Sequence, residues 1–225
     1  MKKTKGRKRS IILLVAILAV TSLVAVGVYS RAQTPAITNK TSAVEVISVT
    51  PAETGTGYKV VMKNVSAKNI NAYAVGYDRG ASVVSDQTGT RRPIIAPGEQ
   101  FKLRSLPANK TIVIRYVIFD DNSVDGDAVA AAEFLDQRLG VREQLERIVP
   151  LFREASDVDQ LRAQIEALPE QSQASVWVGI GMRYAKQDAL LALQKLDKTN
   201  VRAGLNKFIE ESESRMARLP QRANP

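Results

Sequence analysis

From Ala43 onward the chain alternates short β-branched runs with turn residues. The runs are AVEVISVT (43–50), GYKVVMKN (57–64), NINAYAVGY (69–77), ASVVSD (81–86), RPIIA (92–96), FKLRSL (101–106) and TIVIRYVIF (111–119). Tyr58, Val60 and Met62 alternate with Lys59, Val61 and Lys63, a period of two that sends the two sets to opposite faces of a strand. Between the runs lie Thr54-Gly55-Thr56-Gly57, Arg79-Gly80, Thr88-Gly89-Thr90 and Pro97-Gly98, which supply the positive φ angles that chain reversal needs. No helical stretch of about 10–15 residues interrupts them, so the pattern predicts antiparallel sheets in an immunoglobulin-like or fibronectin-like β-sandwich.

After Asp127 the apolar spacing changes to three and four. Ala128–Leu139 predicts a helix with Phe134, Leu135 and Leu139 on one face and Gly140 as its stop. Val141–Glu154 predicts a second or continuing helix carrying Leu145, Ile148, Val149 and Phe152, kinked at Pro150 because proline lacks the backbone donor. Ser156 or Asp157 caps the next, with Leu161, Ile165 and Leu168 as its buried stripe and Pro169 at its end. In the long helix expected over Gln173–Lys195, Val176, Ile180 and Tyr184 repeat at i, i+4, i+8, and Leu190, Leu191 and Leu193 extend the repeat. Thr199 or Asn200 caps a last helix through Leu219 that buries Val201, Leu205, Phe208 and Ile209. The fold class expected is α+β: a sandwich domain at 43–120, an α-helical bundle at 127–219 and a loose tail at 220–225.

Upstream, Ile11 to Tyr29 runs 19 residues without a charge, behind Lys2, Lys3, Lys5, Arg7, Lys8 and Arg9. A basic start stays in the cytoplasm while an apolar helix enters the bilayer, so residues 1–31 predict a membrane anchor or a signal peptide. The run is long enough to span. Ser30-Arg31-Ala32 nevertheless offers small residues for a cut before Gln33, and Ala25-Val26-Gly27 offers another. Either way the remainder is delivered outside the cytoplasm, after a polar linker at 32–42. The net charge of +9 is concentrated at this end: no acid precedes Glu45, and beyond Arg31 basic and acidic residues nearly balance. Without a basic stripe interleaved with aromatics, no nucleic-acid partner is expected.

The stretch KVVMKNVSAKNINAYAVGY, followed by IAPGEQFKL, resembles the small bacterial envelope sandwich domains of the FxLYD and related immunoglobulin-like type. In those a strand ends in Asn-x-Ser, the next begins with an aliphatic residue, and a Pro-Gly turn precedes a late strand. Lys63-Asn64-Val65-Ser66, Ile70 and Ala96-Pro97-Gly98-Glu99 carry the resemblance, and Ile70-Asn71-Ala72-Tyr73 stands nearest to the Phe-x-Leu-Tyr-Asp string. It covers about residues 43–120 and implies a bacterial envelope location, but no activity and no site residues.

Chemistry is narrowed by two absences, Cys 0 and His 0. Disulfides, thiol nucleophiles, imidazole acid-base catalysis and thiolate or imidazole metal sites are excluded. The densest acidic cluster is Asp120-Asp121-Asn122-Ser123-Val124-Asp125-Gly126-Asp127. Asp121, Ser123, Asp125 and Gly126 match positions 1, 3, 5 and 6 of a calcium loop, but Ala132 stands where the bidentate Glu belongs. An oxygen cage from Asp121, Asp125 and Asp127, holding Ca, is weighed against a solvated turn in which Asp125-Gly126 reverses the chain and Asp127 caps the helix. Gly179 and Gly181 read as close helix packing with Trp177 as an anchor, and Arg142 with Glu146 as a surface ion pair. Tyr58, Tyr73, Tyr77 and Tyr116 are weighed as a binding face against sheet packing. Asn39, Asn64 and Asn109 head glycosylation-type triplets.

These features together point to a non-enzymatic, membrane-anchored or secreted envelope protein with a protein-interaction or scaffolding role, its membrane contact at Ile11–Tyr29 and its partner an envelope protein. The alternative is a calcium-binding protein or carboxylate-based hydrolase centred on Asp120–Asp127.

Overall fold

The computed structural model describes residues 35–52, 57–77, 82–86, 94–106, 110–197 and 199–221. The basic start, the apolar run Ile11–Tyr29 and both candidate cut positions lie outside these residues. Among the described residues no helix is long and apolar enough to cross a membrane.

Among the described residues eight strands precede four helices. The strands are β1 (Ile37–Asn39), β2 (Val44–Pro51), β3 (Tyr58–Asn64), β4 (Ile70–Tyr77), β5 (Ser82–Asp86), β6 (Gln100–Leu106), β7 (Ile112–Phe119) and β8 (Val124–Gly126). The helices are α1 (Ala128–Glu154), α2 (Val158–Glu166), α3 (Val176–Gln194) and α4 (Val201–Met216). One sheet has the order β1-β7-β4-β5, with β8 beside the second half of β7; the other has the order β2-β3-β6. Val44, Val60, Met62 and Leu103 from the second sheet share one core with Ile70, Val75, Ile112, Ile114 and Val117 from the first, so the sheets stack face to face.

The first sheet is covered on its other face too. Ala72, Ala74, Tyr116 and Ile118 pack under Ala131, with Phe134 and Leu135 of α1 against them. This explains why β7 reads as a nearly unbroken apolar run, whereas β3, with one face outward, alternates strictly. The alanines of β4 let the helix approach closely.

Two elements depart from the expected pattern. Part of the supposed linker is strand β1, and it runs parallel to β7, so the sheets are not wholly antiparallel. Three residues are too few to show a period, and what holds them is the distant edge of β7, with Lys40 N donating to Ile114 O at 2.9 Å, and one local bond, from Asn39 Nδ2 to Val44 O at 2.6 Å. The RPIIA run gives no named strand among the described residues; Ile95 forms only an isolated bridge with Ile70. Asn64 stands beside that bridge. Its Nδ2 donates to Ile95 O and Lys68 O, and its Oδ1 accepts from Ser66 N and Oγ, which fastens the Asn-x-Ser turn to the sandwich.

In the helical part, α1 continues through Gly140 and Pro150 for 27 residues. Gly140 does not stop the helix because its missing side chain is needed for packing. A Cβ there would collide with the Val178 carbonyl of α3, and one at Gly181 would collide with the Gln137 carbonyl of α1. The glycines therefore sit where α1 and α3 cross backbone to backbone. A second core joins the far half of α1 to α2, α3 and α4 through Ile148, Phe152, Leu161, Ile165, Ala189, Leu193 and Leu205.

Candidate functional site

The acidic segment is built into the fold, residue by residue. Asp121 Oδ2 accepts from Lys68 Nζ at 2.6 Å, and its Oδ1 accepts from Ser123 N and Oγ. The Lys68 bond first, and the Ser123 bonds next, hold the Asp121 carboxyl well below the usual carboxylate range. Asp125 belongs to β8 rather than to a turn, and its Oδ2 accepts from Ser42 N, Ser42 Oγ and Ala43 N. Asp127 caps α1 by accepting from Ala130 N, with Lys40 at 3.6 Å. Three carboxylates thus serve three separate partners. Among the described residues no group of three or more acidic side chains is arranged to hold a metal ion, so the structure does not bring Asp121, Asp125 and Asp127 into one cage.

The four tyrosines are likewise separated. Tyr58 is buried; Tyr73 and Tyr77 pack against the sandwich core, and Tyr116 lies on the opposite face under α1. They form no common binding face.

Buried polar side chains inside the molecule are spent on joints between elements. Arg138, 1% exposed, reaches from α1 to Asn71 Oδ1 at 3.0 Å and Asp86 Oδ1 at 2.8 Å, with its guanidinium over Phe134. Lys186 of α3 donates to Glu166 O, Leu168 O and Glu170 Oε1, closing the C-terminal end of α2. That bond holds the Glu170 carboxyl below its ordinary value. Gln144 donates to Pro169 O. Arg138 Nη1 and Nη2, Lys186 Nζ and Gln144 Nε2 thus each reach an oxygen of a neighbouring element, while Arg138 Nε and Asn71 Nδ2 are buried without a hydrogen-bond partner.

The outward side of α3 is different. Its buried face is Val178, Gly181, Met182, Ala185, Ala189 and Leu193, so the apolar repeat Val176, Ile180 and Tyr184 is not the face that packs. Val176 is 70% exposed, Tyr184 49% and Leu191 47%, while Trp177 and Ile180 are half-buried. At about 3.6 residues per turn these five positions share an arc of about 100° on the side away from α1. This second apolar face lies outside the set of buried residues by which the helix packs. Beside it runs an open groove of about 660 Å3 between α3 and α4, floored by Leu145, Leu191, Leu196 and Phe208 and rimmed by Asp188, Lys195, Lys207 and Arg215. Asp188 Oδ2 accepts from Arg215 Nη1 across the groove at 3.1 Å.

The signal for this surface was present in the sequence. Eight positions of α3 are buried, among them Gly179, Gly181, Ala185 and Ala189, and Val176, Trp177, Ile180, Tyr184 and Leu191 fall outside that set. Comparison with known proteins adds no relative: no family model matches the chain, and neither does any curated protein or solved structure.

Proposed function

We propose that the chain is a non-enzymatic bacterial envelope protein that works by contact, held at the membrane by Ile11–Tyr29 or released after it. The single observation carrying this reading is the outward apolar face of α3, joined by Leu191 to the α3–α4 groove. Exposed apolar area of this kind, rimmed by charge, marks a surface that another protein covers. The sandwich is proposed to be immunoglobulin-like: three strands, β2-β3-β6, oppose β7-β4-β5, and the chain changes sheet between β3 and β4, β5 and β6, and β6 and β7. Its part is to hold α1, and through α1 the helices that carry the α3 face.

Replacing Leu191 with a photo-cross-linking amino acid in living cells tests the reading. Irradiation is expected to give discrete adducts whose protein partner is identified by mass spectrometry, with none from the same group at exposed Asp159 of α2. Equal or absent adducts at both positions overturn it.

A further inference from the structure

Building on that reading of the α3 face, we infer that its occupant is the α3 helix of a second copy of the chain, packed in parallel about a two-fold axis. The outward residues fall on a heptad: Trp177, Tyr184 and Leu191 take one core position, and Ile180, Gln187 and Gln194 take the other. The flanking positions decide both the occupant and the direction. Parallel packing brings a flank residue of one helix against the residue five further on in its partner. Here Arg183 meets Asp188 of the other copy, twice by symmetry; Leu190 falls beside Lys195, and Gly181, one heptad before Asp188, is taken up by the crossing with α1.

No like charges meet in that register. Antiparallel packing of the same face sets Arg183 near Leu190 and Asp188 near Gly181, and forms no ion pair. Both charged groups have capacity to spare. Arg183 turns Nε to Glu170 at 3.5 Å, and Asp188 turns one carboxylate oxygen to Arg215; both are half-exposed. The two glutamines face their own copies, where side-chain amides hydrogen-bond across the axis and fix the register at some cost in affinity. The patch spans fewer than three heptads, too short for a free-standing coiled coil. That objection does not apply here, because α3 is already ordered by its other face and pays no folding entropy on pairing.

The chain contains no cysteine, so single cysteines report contact without background. Full-length protein in detergent micelles, carrying Tyr184→Cys, Gln187→Cys or Val129→Cys, is treated with a mild oxidant. Y184C and Q187C are each expected to give a disulfide-linked dimer alone, since like positions approach within bonding distance across a parallel axis. V129C, exposed on the first turn of α1, is expected to give none. Tyr184→Asp is expected to sediment as a monomer that keeps the wild-type far-ultraviolet circular dichroism, because the residue is half-exposed in the single chain. Cross-linking of Y184C only when mixed with Q187C, which signals antiparallel pairing, overturns the inference; so does no cross-linking by either. If these fail while Leu191 still photo-cross-links to a different protein, the second copy is removed as occupant and the interaction reading stands. If both fail, the reading itself falls.

Discussion

At the scale of single residues, polar side chains in this protein are used mainly as fasteners. Asn64 satisfies both halves of its amide at a strand end, which gives the Asn-x-Ser string a physical reason. Asn64 is fully buried, so its triplet is a structural turn rather than an exposed sugar acceptor. Tyr116 offers a direct test of the sheet-to-helix joint. Burial, opposed in part by the nearby Arg138, raises its phenol from 10.0 to about 12. A raised folded value means that the native state holds its proton after the unfolded chain has released it. The resulting stability is complete below pH about 10 and is lost as pH rises towards about 12, a difference of about 2–3 kcal/mol. Tyr116→Phe is therefore expected to flatten the decline in stability over that window, measured by urea unfolding against wild type. An identical slope in the two proteins would contradict the burial of Tyr116 under α1. The cap Asp127 was legible because short acidic residues before an apolar period do that work. Arg138 was not, since an arginine on a helix ordinarily faces water and only the β4–β5 surface gives it a buried partner.

At the scale of elements, the strands with one wet face were legible from alternation, and the buried ones from their β-branched runs. The three-residue strands β1 and β8 were not, because their pairing is dictated by a neighbour's open edge. Helix α3 shows why existence is easier to read than orientation. Its largest apolar residues look like the core stripe, yet the crossing with α1 selects Gly140 and Gly181, where backbones touch. Overpacking of that crossing costs about 1–3 kcal/mol, more than the roughly 1 kcal/mol that alanine gains over glycine in a helix. Gly140→Ala is expected to lower Tm by several degrees. Gly204→Ala, which meets only the tip of the flexible Leu196 side chain, is expected to leave Tm unchanged or raise it slightly. Equal thermal melting of the two variants would mean that α1 and α3 do not cross at these glycines.

At the scale of the whole molecule, α1 unites the parts. Its first half covers the sandwich, its second half organises the helices, and the outward α3 face is left exposed. The two modules and their order were legible from the change of period near Asp127, but their docking was not, because it depends on which strand faces are left apolar after the sandwich closes. We propose that this surface is displayed outside the cytoplasm. A single cysteine at the 77% exposed Val129, in a chain otherwise free of cysteine, permits labelling of spheroplasts with a membrane-impermeant maleimide. The expected result is full labelling of V129C in intact spheroplasts; labelling only after lysis would contradict it.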